Sequence, residues 1–362
     1  MTPLASAEHE QVVVGHDATS GLRCIIAIHS TTLGPALGGT RFRPYDSFDD
    51  AMTDALRLSQ AMTLKNAGAG LDRGGGKAVI IGDPAEIRSE ALIRAYGRMV
   101  GSLGGRYITA CDVGTTPDDM ALVRRETRWA TGMDPSEGGS GDSGILTAEG
   151  VLLGLKVTAE AAFGSSSLGD RHVAVQGLGK VGRRLVEHLV AEGARVTASD
   201  VDDAAVERVR HLDGVDVVGP DEILAVDADI LSPNALGAVL NEDSIPTLRV
   251  AAICGAANNQ IATDDDATRL HGAGILYAPD FVVSAGGVIS VDDELQPGGW
   301  TPERARRRLQ VIPETLRAVI DHARTSGMTT QASALEIAHQ RIHRIGALRG
   351  FWMPAGNANS AS

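Results

Sequence analysis

The sequence predicts an α/β protein of two domains. Short β-type runs alternate with helical patterns along the chain. The 362 residues are enough for two separate hydrophobic cores. A loop rich in glycine, serine and aspartate, at 133–144, interrupts the alternation and is typical of a hinge. We therefore expect a first domain at 1–140 and a second at 141–327. The C-terminal helix, within 328–362, is expected to join the first domain.

Apolar runs and helical spacing place the elements along the chain. The first half predicts strands at 23–29, 77–81 and 107–111, and a helix at 89–103. The second half predicts a helix at 147–164, with Thr147 as its N-cap, and then a strand–turn–helix–strand unit at 172–200. Further strands are expected at 229–231, 250–254 and 274–277, followed by a last helix near 333–348.

Composition narrows the class of protein. The net charge of -13 argues against nucleic-acid binding, which needs a basic surface to displace counterions. Three separated cysteines, Cys24, Cys111 and Cys254, indicate reduced thiols rather than a disulfide framework or a zinc site, and no metal is predicted. The N-terminus has no signal-peptide pattern, and no apolar run reaches about 18 residues. We expect a cytoplasmic protein with no membrane partner.

A dinucleotide-binding turn is predicted at 177–182. Gly177, Gly179 and Gly182 follow an apolar strand and precede a helix, in the spacing Gly-x-Gly-x-x-Gly. Such glycines allow a tight turn, close approach of a pyrophosphate, and close packing of helix on strand. Asp200 ends the next strand, 18 residues after the last glycine, where a ribose hydroxyl is bound in such units. The sequence therefore predicts a Rossmann domain.

The residues after Asp200 favour NAD over NADP. A 2′-phosphate requires a nearby arginine or lysine, whereas Asp202 and Asp203 add two further carboxylates. Lys180 and Val181, within the glycine turn, are expected to contact the cofactor together with the glycines.

Three consecutive glycines precede Lys77 in "GLDRGGGKAVIIGDP" (70–84). A nucleoside-triphosphate loop would need glycine at Leu71 and serine or threonine at Ala78, so that type of site is excluded. Glycines this dense suggest either unusual backbone dihedrals or a small molecule lying against the chain. We expect that they let substrate and cofactor approach Lys77.

Two other residues are candidates for the same site. Lys65 lies in the apolar frame "AMTLKNAGAG", and Asp112 ends the strand "YITAC". Lys65 could instead cover surface with its aliphatic stem, and Asp112 could be a helix cap. Taken together, one lysine could hold a carboxylate, a second close to it could act as a base, and the aspartate could pair with an amine. This set suits the oxidation of an α-amino acid.

The chain resembles the glutamate/leucine/phenylalanine/valine dehydrogenase family over nearly its whole length, and the branched-chain members most closely. The resemblance rests on six motifs in the family's order: "LGPALGGTRF" (33–42), "AMTLKNAGAGLDRGGGKAVIIGDP" (61–84), "RYITACDVGT" (106–115), "GLGKVG" (177–182), "CGAANNQ" (254–260) and "GILYAPDFVVSAGGVISVDDEL" (274–295). It implies an N-terminal dehydrogenase domain and a C-terminal Rossmann domain separated by a cleft, and homo-oligomers from dimers to octamers.

The resemblance also implies roles for individual residues. Lys65 would bind the substrate carboxylate with the backbone of Gly38 and Gly39, Lys77 would activate water, and Asp112 would hold the amino group. Two further residues would orient the nicotinamide end of the cofactor, Thr147 and Asn258. Residues at the family's side-chain pocket are apolar: Leu37, Met62, Ala110, Val288 and Val291.

The pocket residues argue for a branched aliphatic substrate. Glutamate-specific members carry lysine at the position of Leu37, and phenylalanine enzymes tend to have smaller residues at Leu37 and Val288. One methylene in an apolar pocket contributes only about 1–3 kcal/mol, so valine, leucine and isoleucine are not sharply separated. The resemblance implies reversible NAD-dependent oxidative deamination, with L-valine as first choice.

Three positions depart from the family's pattern. Ser284, among the expected cofactor contacts, stands where asparagine is usual, Asn234 where cysteine is common, and Ala238 where glycine is common. Losing one hydrogen bond at a site costs about 1–3 kcal/mol. A catalytically impaired NAD-binding relative with a regulatory role, or one with a different amino-acid substrate, is therefore the alternative. A hydroxy-acid dehydrogenase is disfavoured because its histidine and arginine set is absent.

Overall fold

The structure, a computed structural model, describes residues 8–350, with side chains up to residue 348. Two compact units divide the chain. The first unit comprises the described parts of Met1–Asp142, Ser290–Ala305 and Ala338–Ser362. The second comprises Ser143–Ile289 and Arg306–Ile337. No helix among residues 8–350 combines the length and apolarity that crossing a membrane requires.

The first unit contains a five-stranded mixed sheet in the order β1-β2-β4-β3-β5. Its strands are β1 (Gln11–Asp17), β2 (Leu22–Ser30), β3 (Ala36–Arg43), β4 (Gly74–Ile81) and β5 (Tyr107–Cys111). β3 is parallel to both β4 and β5, whereas β2 is antiparallel to both of its neighbours. β3 therefore lies between the strand that carries Lys77 and the strand that ends before Asp112.

The first unit has four α-helices within residues 8–142, and two of them cover opposite faces of the sheet. The four are α1 (Phe48–Gly68), α2 (Pro84–Ile87), α3 (Glu90–Ser102) and α4 (Pro117–Arg124). Ala51 and Ala55 of α1 pack against Val79 on one face, while Leu92 of α3 packs against Ile80 on the other. Because side chains alternate along a strand, odd-numbered residues of β4, Lys77 included, face α1.

Two elements of this unit that the sequence predicted from their own residues, a helix and a strand, are confirmed. The strand predicted at 107–111 is β5, and the helix predicted at 89–103 is α3 with its two caps. Ser89 accepts a hydrogen bond from the Leu92 N–H, as an N-cap serine does. β1, β3 and α1 were not predicted.

The second unit contains a six-stranded sheet in the order β11-β10-β9-β6-β7-β8, and every adjacent pair is parallel. Its strands are β6 (His172–Gln176), β7 (Arg195–Ser199), β8 (Val215–Val217), β9 (Ile230–Pro233), β10 (Ala252–Ile253) and β11 (Leu276–Tyr277). If the six strands are renumbered 1 to 6 from β6 and the sheet is read from β8 to β11, the order is 3-2-1-4-5-6. This is the strand order of a Rossmann domain. The predicted two-domain α/β fold is confirmed.

The remaining helices are α5 (Gly144–Phe163), α6 (Gly182–Ala191), α7 (Asp203–Glu207), α8 (Asp264–Gly272), α9 (Asp280–Val283), α10 (Gly286–Asp293), α11 (Pro302–Arg308), α12 (Val311–Ser326) and α13 (Thr330–Gly346). The prediction that Thr147 caps α5 is wrong. The helix begins at Gly144, and the Thr147 N–H and Oγ1 both donate to the Ser143 carbonyl, at 3.1 Å and 2.8 Å. Thr147 is therefore already inside the first turn.

The segment 290–305 belongs to the first unit, although the sequence placed it in the second domain. Its three consecutive acids contact three different elements. Arg73 Nε, just before β4, donates to Asp292 Oδ1 at 2.6 Å, and Arg304 Nε, in α11, donates to Asp293 Oδ1 at 2.7 Å. Both aspartates are buried, at 2% and 0% exposed.

The third acid, Glu294, binds the predicted hinge loop. Its carboxylate accepts hydrogen bonds from the Gly132 N–H at 2.9 Å and from the Ser140 N–H at 2.8 Å. Burial raises the pKa of Glu294, and the bonds from Ser140 and Gly132 oppose that rise. One side chain thus binds both Gly132, just before the loop, and Ser140, within it.

The last helix contributes to both units. Thr330 Oγ1 donates to the Tyr277 carbonyl at 2.5 Å within the second unit. From Ala338 onward the helix belongs to the first unit, where Ala338 packs against Leu33 and Ala67 near the end of α1. Of the predicted 328–362 segment, residues 338–350 are therefore clustered with the first unit and 328–337 with the second, and 351–362 lie outside the described residues.

Candidate active site

The first unit brings Lys77 and Asp112 together. Lys77 Nζ contacts Asp112 Oδ2, and the Lys77 residue is only 7% exposed. Arg41 Nε, from β3, lies 3.5 Å from the same carboxylate oxygen. A carboxylate held between two cations is suited to accepting a hydrogen bond from a substrate amine.

Asp112 is held as a carboxylate. Burial by itself raises its pKa, but the Lys77 ammonium and the Arg41 guanidinium outweigh that effect, so that the pKa of Asp112 falls from 3.8 to about 2. The backbone also fixes the residue, because the Asp112 N–H donates to Thr115 Oγ1 at 2.8 Å. At neutral pH the group is therefore an acceptor in a fixed position.

The three glycines before Lys77 have a different role from the one we expected. A Cβ on Gly75 would lie 2.1 Å from Thr63 Oγ1, and one on Gly76 would lie 2.7 Å from the Tyr107 ring. The space above these glycines is filled by the protein's own atoms, and none has a positive φ. Gly75 lets α1 pack closely on the strand that carries Lys77, and Gly76 makes room for the Tyr107 ring, which corrects the expectation of ligand access.

Lys65 and Met62 lie three residues apart near the end of α1, so they share one side of the helix. Met62 Cγ would be 3.3 Å from a Cβ built on Gly38, which places Met62 directly beside this glycine of β3. The Gly38 carbonyl accepts a hydrogen bond from Tyr107 Oη at 2.7 Å. Lys65 is half-buried.

Asn66, which the sequence analysis missed, fixes this end of α1. Its Nδ2 donates to the Leu37 carbonyl at 3.2 Å and to the Gly74 carbonyl at 2.6 Å, and the residue is 0% exposed. The helix end beside Lys65 is thereby bonded to β3 and β4. Asn66 follows Lys65 in the sequence, but its role depends on the neighbouring strands and left no local pattern.

The predicted pocket residues are buried and apolar. Ala110 pairs with Gly39, two residues after Leu37, so alternation puts Leu37 and Ala110 on the same face of the sheet as Lys77. Their exposed fractions are 0% for Leu37 and 5% for Ala110. Val291, in the first unit, is 9% exposed, and Val288, in the second unit, is 7% exposed.

The glycine turn of the second unit has the geometry that a dinucleotide requires. Gly177 has a φ of +91°, which favours glycine. A Cβ on Gly182 would lie 1.9 Å from the Gly177 carbonyl oxygen, so only glycine permits this packing. A Cβ on Gly179 would meet no atom within 4 Å, which leaves the space where a pyrophosphate approaches the backbone.

Other predicted cofactor residues surround this turn. Asp200, at the end of β7, accepts hydrogen bonds from the Leu178 N–H at 2.5 Å and the Asp202 N–H at 2.9 Å. Lys180 is exposed and Val181 is half-buried, directly before α6 begins. The N-terminus of α6 offers backbone N–H groups to phosphate. The turn and Asp200 therefore fit a dinucleotide.

The residues predicted for the nicotinamide end lie in the second unit. Thr147 Oγ1 would be 3.0 Å from a Cβ on Gly287, so the start of α5 adjoins the start of α10. Ser284, the C-cap of α9, is 4% exposed, and its Oγ has no hydrogen-bond partner within residues 8–350. Asn258 is exposed, and its carbonyl oxygen adjoins Gly237.

Two departures from the family's pattern have structural consequences. Asn234 Oδ1 accepts a hydrogen bond from the Ala256 N–H at 3.0 Å, and its Nδ2 donates to the Ser232 carbonyl at 2.8 Å. Asn234 thus joins the end of β9 to the segment after β10. Ala238 has a φ of +59°, a left-handed conformation that is costly for any residue with a Cβ and explains why glycine is common there.

Comparison with known proteins decides the family. The model of the Glu/Leu/Phe/Val dehydrogenase dimerisation domain matches residues 9–129, and the model of the Glutamate/Leucine/Phenylalanine/Valine dehydrogenase domain matches residues 200–350. The chain belongs to the glutamate/leucine/phenylalanine/valine dehydrogenase family. The resemblance inferred from the motifs is confirmed, and so are the amino acid dehydrogenase class and the NAD cofactor.

Curated relatives of this family cover nearly the whole chain. A valine dehydrogenase of Streptomyces coelicolor is 52% identical over 337 residues, 92% of each chain. A leucine dehydrogenase of Bacillus cereus is 48% identical over 354 residues, 98% of this chain and 96% of the relative.

Solved structures share the fold. The L-tryptophan dehydrogenase of Nostoc punctiforme has a TM-score of 0.81 and 42% identity, covering 94% of this chain and 97% of that one. A hetero-hexameric glutamate dehydrogenase of Thermus thermophilus, in a Leu-bound form, has a TM-score of 0.78 and 25% identity, covering 95% and 91%.

Proposed function

We propose that this protein is an NAD-dependent dehydrogenase of branched-chain L-amino acids, with L-valine as its preferred substrate. The observation that carries the proposal is the Lys77–Asp112 pair on a sheet face whose other predicted site residues, Leu37 and Ala110, are apolar. The pair suits an α-amino group, and the apolar residues suit an aliphatic side chain. The 52% identity to a valine dehydrogenase supports the choice of valine.

The residues divide the reaction between them. Lys65 binds the substrate carboxylate as an ion pair, and Asp112 accepts a hydrogen bond from the substrate amino group. NAD would be held by the glycine turn at 177–182 and Asp200, and would supply the acceptor for the hydride of Cα. Lys77, in its uncharged form, takes a proton from the water that attacks the resulting imino carbon, and ammonia then leaves. The balance is L-amino acid, water and NAD⁺ in, and 2-oxo acid, ammonium, NADH and one proton out.

Side-chain selection follows from charge and burial. Leu37 is uncharged where glutamate-specific members carry lysine, so a substrate γ-carboxylate beside it would be desolvated without that cation. Glutamate is therefore rejected. An aliphatic side chain gains free energy by burial against Leu37 and Ala110, at about 25 cal/mol per Å² of apolar area.

We also propose a cytoplasmic homo-oligomer, associated through the first unit. β1 is an edge strand of that unit's sheet, and Val14 on it is 56% exposed. Phe48, at the start of α1, is 49% exposed. The matched family model for this region is a dimerisation domain, and apolar exposure at a sheet edge is typical of such a surface.

The test is NADH formation with NAD and a panel of L-amino acids at alkaline pH. The panel contains valine, leucine, isoleucine, 2-aminobutyrate, phenylalanine, tryptophan and glutamate, with Lys77→Ala as the control. We expect turnover of the aliphatic acids, highest with valine, that is lost in Lys77→Ala while NAD binding persists. Preference for an aromatic amino acid would contradict the branched-chain assignment and favour a substrate specificity like that of the tryptophan dehydrogenase. If none of the seven amino acids is oxidised although NAD still binds, the alternative of a catalytically impaired NAD-binding relative is favoured.

A further inference from the structure

Arg41 lies within the motif at 33–42, but it was given no role in the site predicted from the sequence. It lies on β3, between the strand of Lys77 and the strand that ends before Asp112. Its Nη1 donates to Asp54 Oδ2, on α1, at 2.9 Å, and its Nε lies 3.5 Å from Asp112 Oδ2. Its side chain is only 20% exposed. One guanidinium group thus contacts a carboxylate on each of two elements.

The Asp54 end of this bridge is itself fixed. Tyr45 Oη donates to Asp54 Oδ2 at 2.8 Å, and the Asp54 side chain is 13% exposed. Arg57, one turn along α1, adds a weaker contact to Asp54 Oδ1 at 3.7 Å. Because two groups besides Arg41 hold Asp54, its carboxylate is a firm anchor for the guanidinium.

At the Asp112 end of the bridge, the guanidinium donor beside the carboxylate is the Nε–H group of Arg41. Arg41 Nε is buried and hydrogen-bonds to no acceptor within residues 8–350, and Asp112 is the carboxylate beside it. The planar guanidinium directs its Nε–H and its Nη1–H in fixed relative directions, which a lysine ammonium does not. Fixing one direction with Asp54 therefore fixes the other toward Asp112.

We propose that Arg41 is a positioning residue for the reaction, which ties Asp112 to Asp54 on α1 and holds the Asp112 carboxylate in place for the substrate amino group. This inference rests on the proposed function, since it concerns the same reaction. It also joins Asp112 to the helix that carries Lys65, so that the groups for the substrate carboxylate and amine keep a constant separation. Displacement of a reacting group by about 1 Å can cost about 100-fold in rate.

The test is a double-mutant cycle on turnover of L-valine. Arg41→Gln, Asp112→Asn and the double variant are compared with the wild type, with kcat, KM and the NAD dissociation constant measured for each. We expect Arg41→Gln to lower kcat by about 10- to 100-fold with NAD binding unchanged. In the Asp112→Asn background the same substitution should lower kcat by less than about twofold, because the residue through which it acts is already altered.

Two further variants separate positioning from folding. Arg41→Lys keeps the charge and should recover part of the kcat lost in Arg41→Gln, though not all, because a lysine cannot hold both carboxylates in fixed geometry. Arg94→Gln is the matched control. It removes an ion pair of 2.6 Å with Glu126 in the same unit and should leave kcat unchanged.

The outcomes are distinct. Equal losses of kcat from Arg41→Gln in both backgrounds, or a wild-type kcat in that variant, would overturn the positioning role while leaving the proposed function intact. A wild type that turns over no amino acid would overturn both. If Arg41→Gln does not fold, the cycle is repeated with Asp54→Asn, which frees the other end of the bridge and should lose kcat only when Asp112 is present.

Discussion

Lys77 and Asp112 form an ion pair across an intervening strand, β3. Thr40 of β3 pairs with Ala78 on one side and with Cys111 on the other, so the preceding residue, Gly39, lies between the two charged groups. A Cβ on Gly39 would lie 2.9 Å from Asp112 Cβ. The ion pair can form because this position carries no side chain.

A methyl group at this position should therefore reduce catalysis. In Gly39→Ala the new Cβ would also lie 2.6 Å from the Cys111 carbonyl oxygen, and backbone there cannot yield without moving Asp112. We expect kcat for L-valine to fall by about 100-fold, measured by steady-state kinetics. Gly272→Ala is the control, because its Cβ would meet nothing within 4 Å and its kcat should match the wild type. Wild-type kcat in Gly39→Ala would contradict this geometry.

The Asp112 carboxylate should also affect stability in a pH-dependent way. Its pKa falls from 3.8 to about 2 on folding, so its contribution is fully present above about pH 4 and is lost as the pH falls through about 2. We expect Asp112→Asn to lower the free energy of unfolding at pH 7, and the difference from wild type to shrink as the pH is lowered toward 3. Urea unfolding at both pH values measures this. A difference that grows on acidification would contradict the assigned pKa shift.

The sequence predicted the elements whose signals are local. The bounds of α3 follow from its serine cap and helical spacing, and β5 from a short apolar run before Asp112. β3 was missed because "ALGGTRFR" contains two glycines and two arginines, which are poor strand formers outside a central sheet position. Arg41 received no role for a different reason: its contacts to Asp54 and Asp112 depend on which elements flank β3.

The dinucleotide turn allows its two close-approach glycines to be tested separately. Gly179→Ala adds a methyl group to open space, so the thermal midpoint of the protein alone should not change, while NAD binding weakens by about tenfold or more. Gly182→Ala should instead lower the midpoint, because its Cβ would lie 1.9 Å from the Gly177 carbonyl oxygen. Calorimetry and NAD titration on both variants are the measurements. A large loss of stability in Gly179→Ala would refute the role of the open space.

The buried pair of Arg73 and Asp292 should matter far more for stability than an exposed pair. The side chains are 15% and 3% exposed, so Asp292→Asn leaves a largely buried guanidinium without its counter-ion and should cost about 3 kcal/mol. Asp216→Asn is the matched control, since Asp216 and Arg195 are 62% and 64% exposed and that pair contributes at most about 1 kcal/mol. Urea unfolding at neutral pH measures both. Equal losses in the two variants would contradict the assignment.

Ala238 offers a stabilising substitution. Its φ of +59° places a Cβ in the left-handed region, and Ala238→Gly should raise the free energy of unfolding by about 1 kcal/mol. Ala204→Gly, in α7, where φ is not positive, should lower it by about 0.5–1 kcal/mol. Opposite signs in the two variants are the expected result, and a loss of stability in Ala238→Gly would show that the strain is absent.

The three acids at 292–294 constrain how this chain can vary. Each one contacts a different element, through Arg73, Arg304 and the loop of Gly132 and Ser140. A substitution at one of them loses one contact, whereas an insertion or deletion beside them would rotate the helix and misplace all three together. The spacing of these three residues along the chain is therefore more tightly constrained than the identity of any one of them.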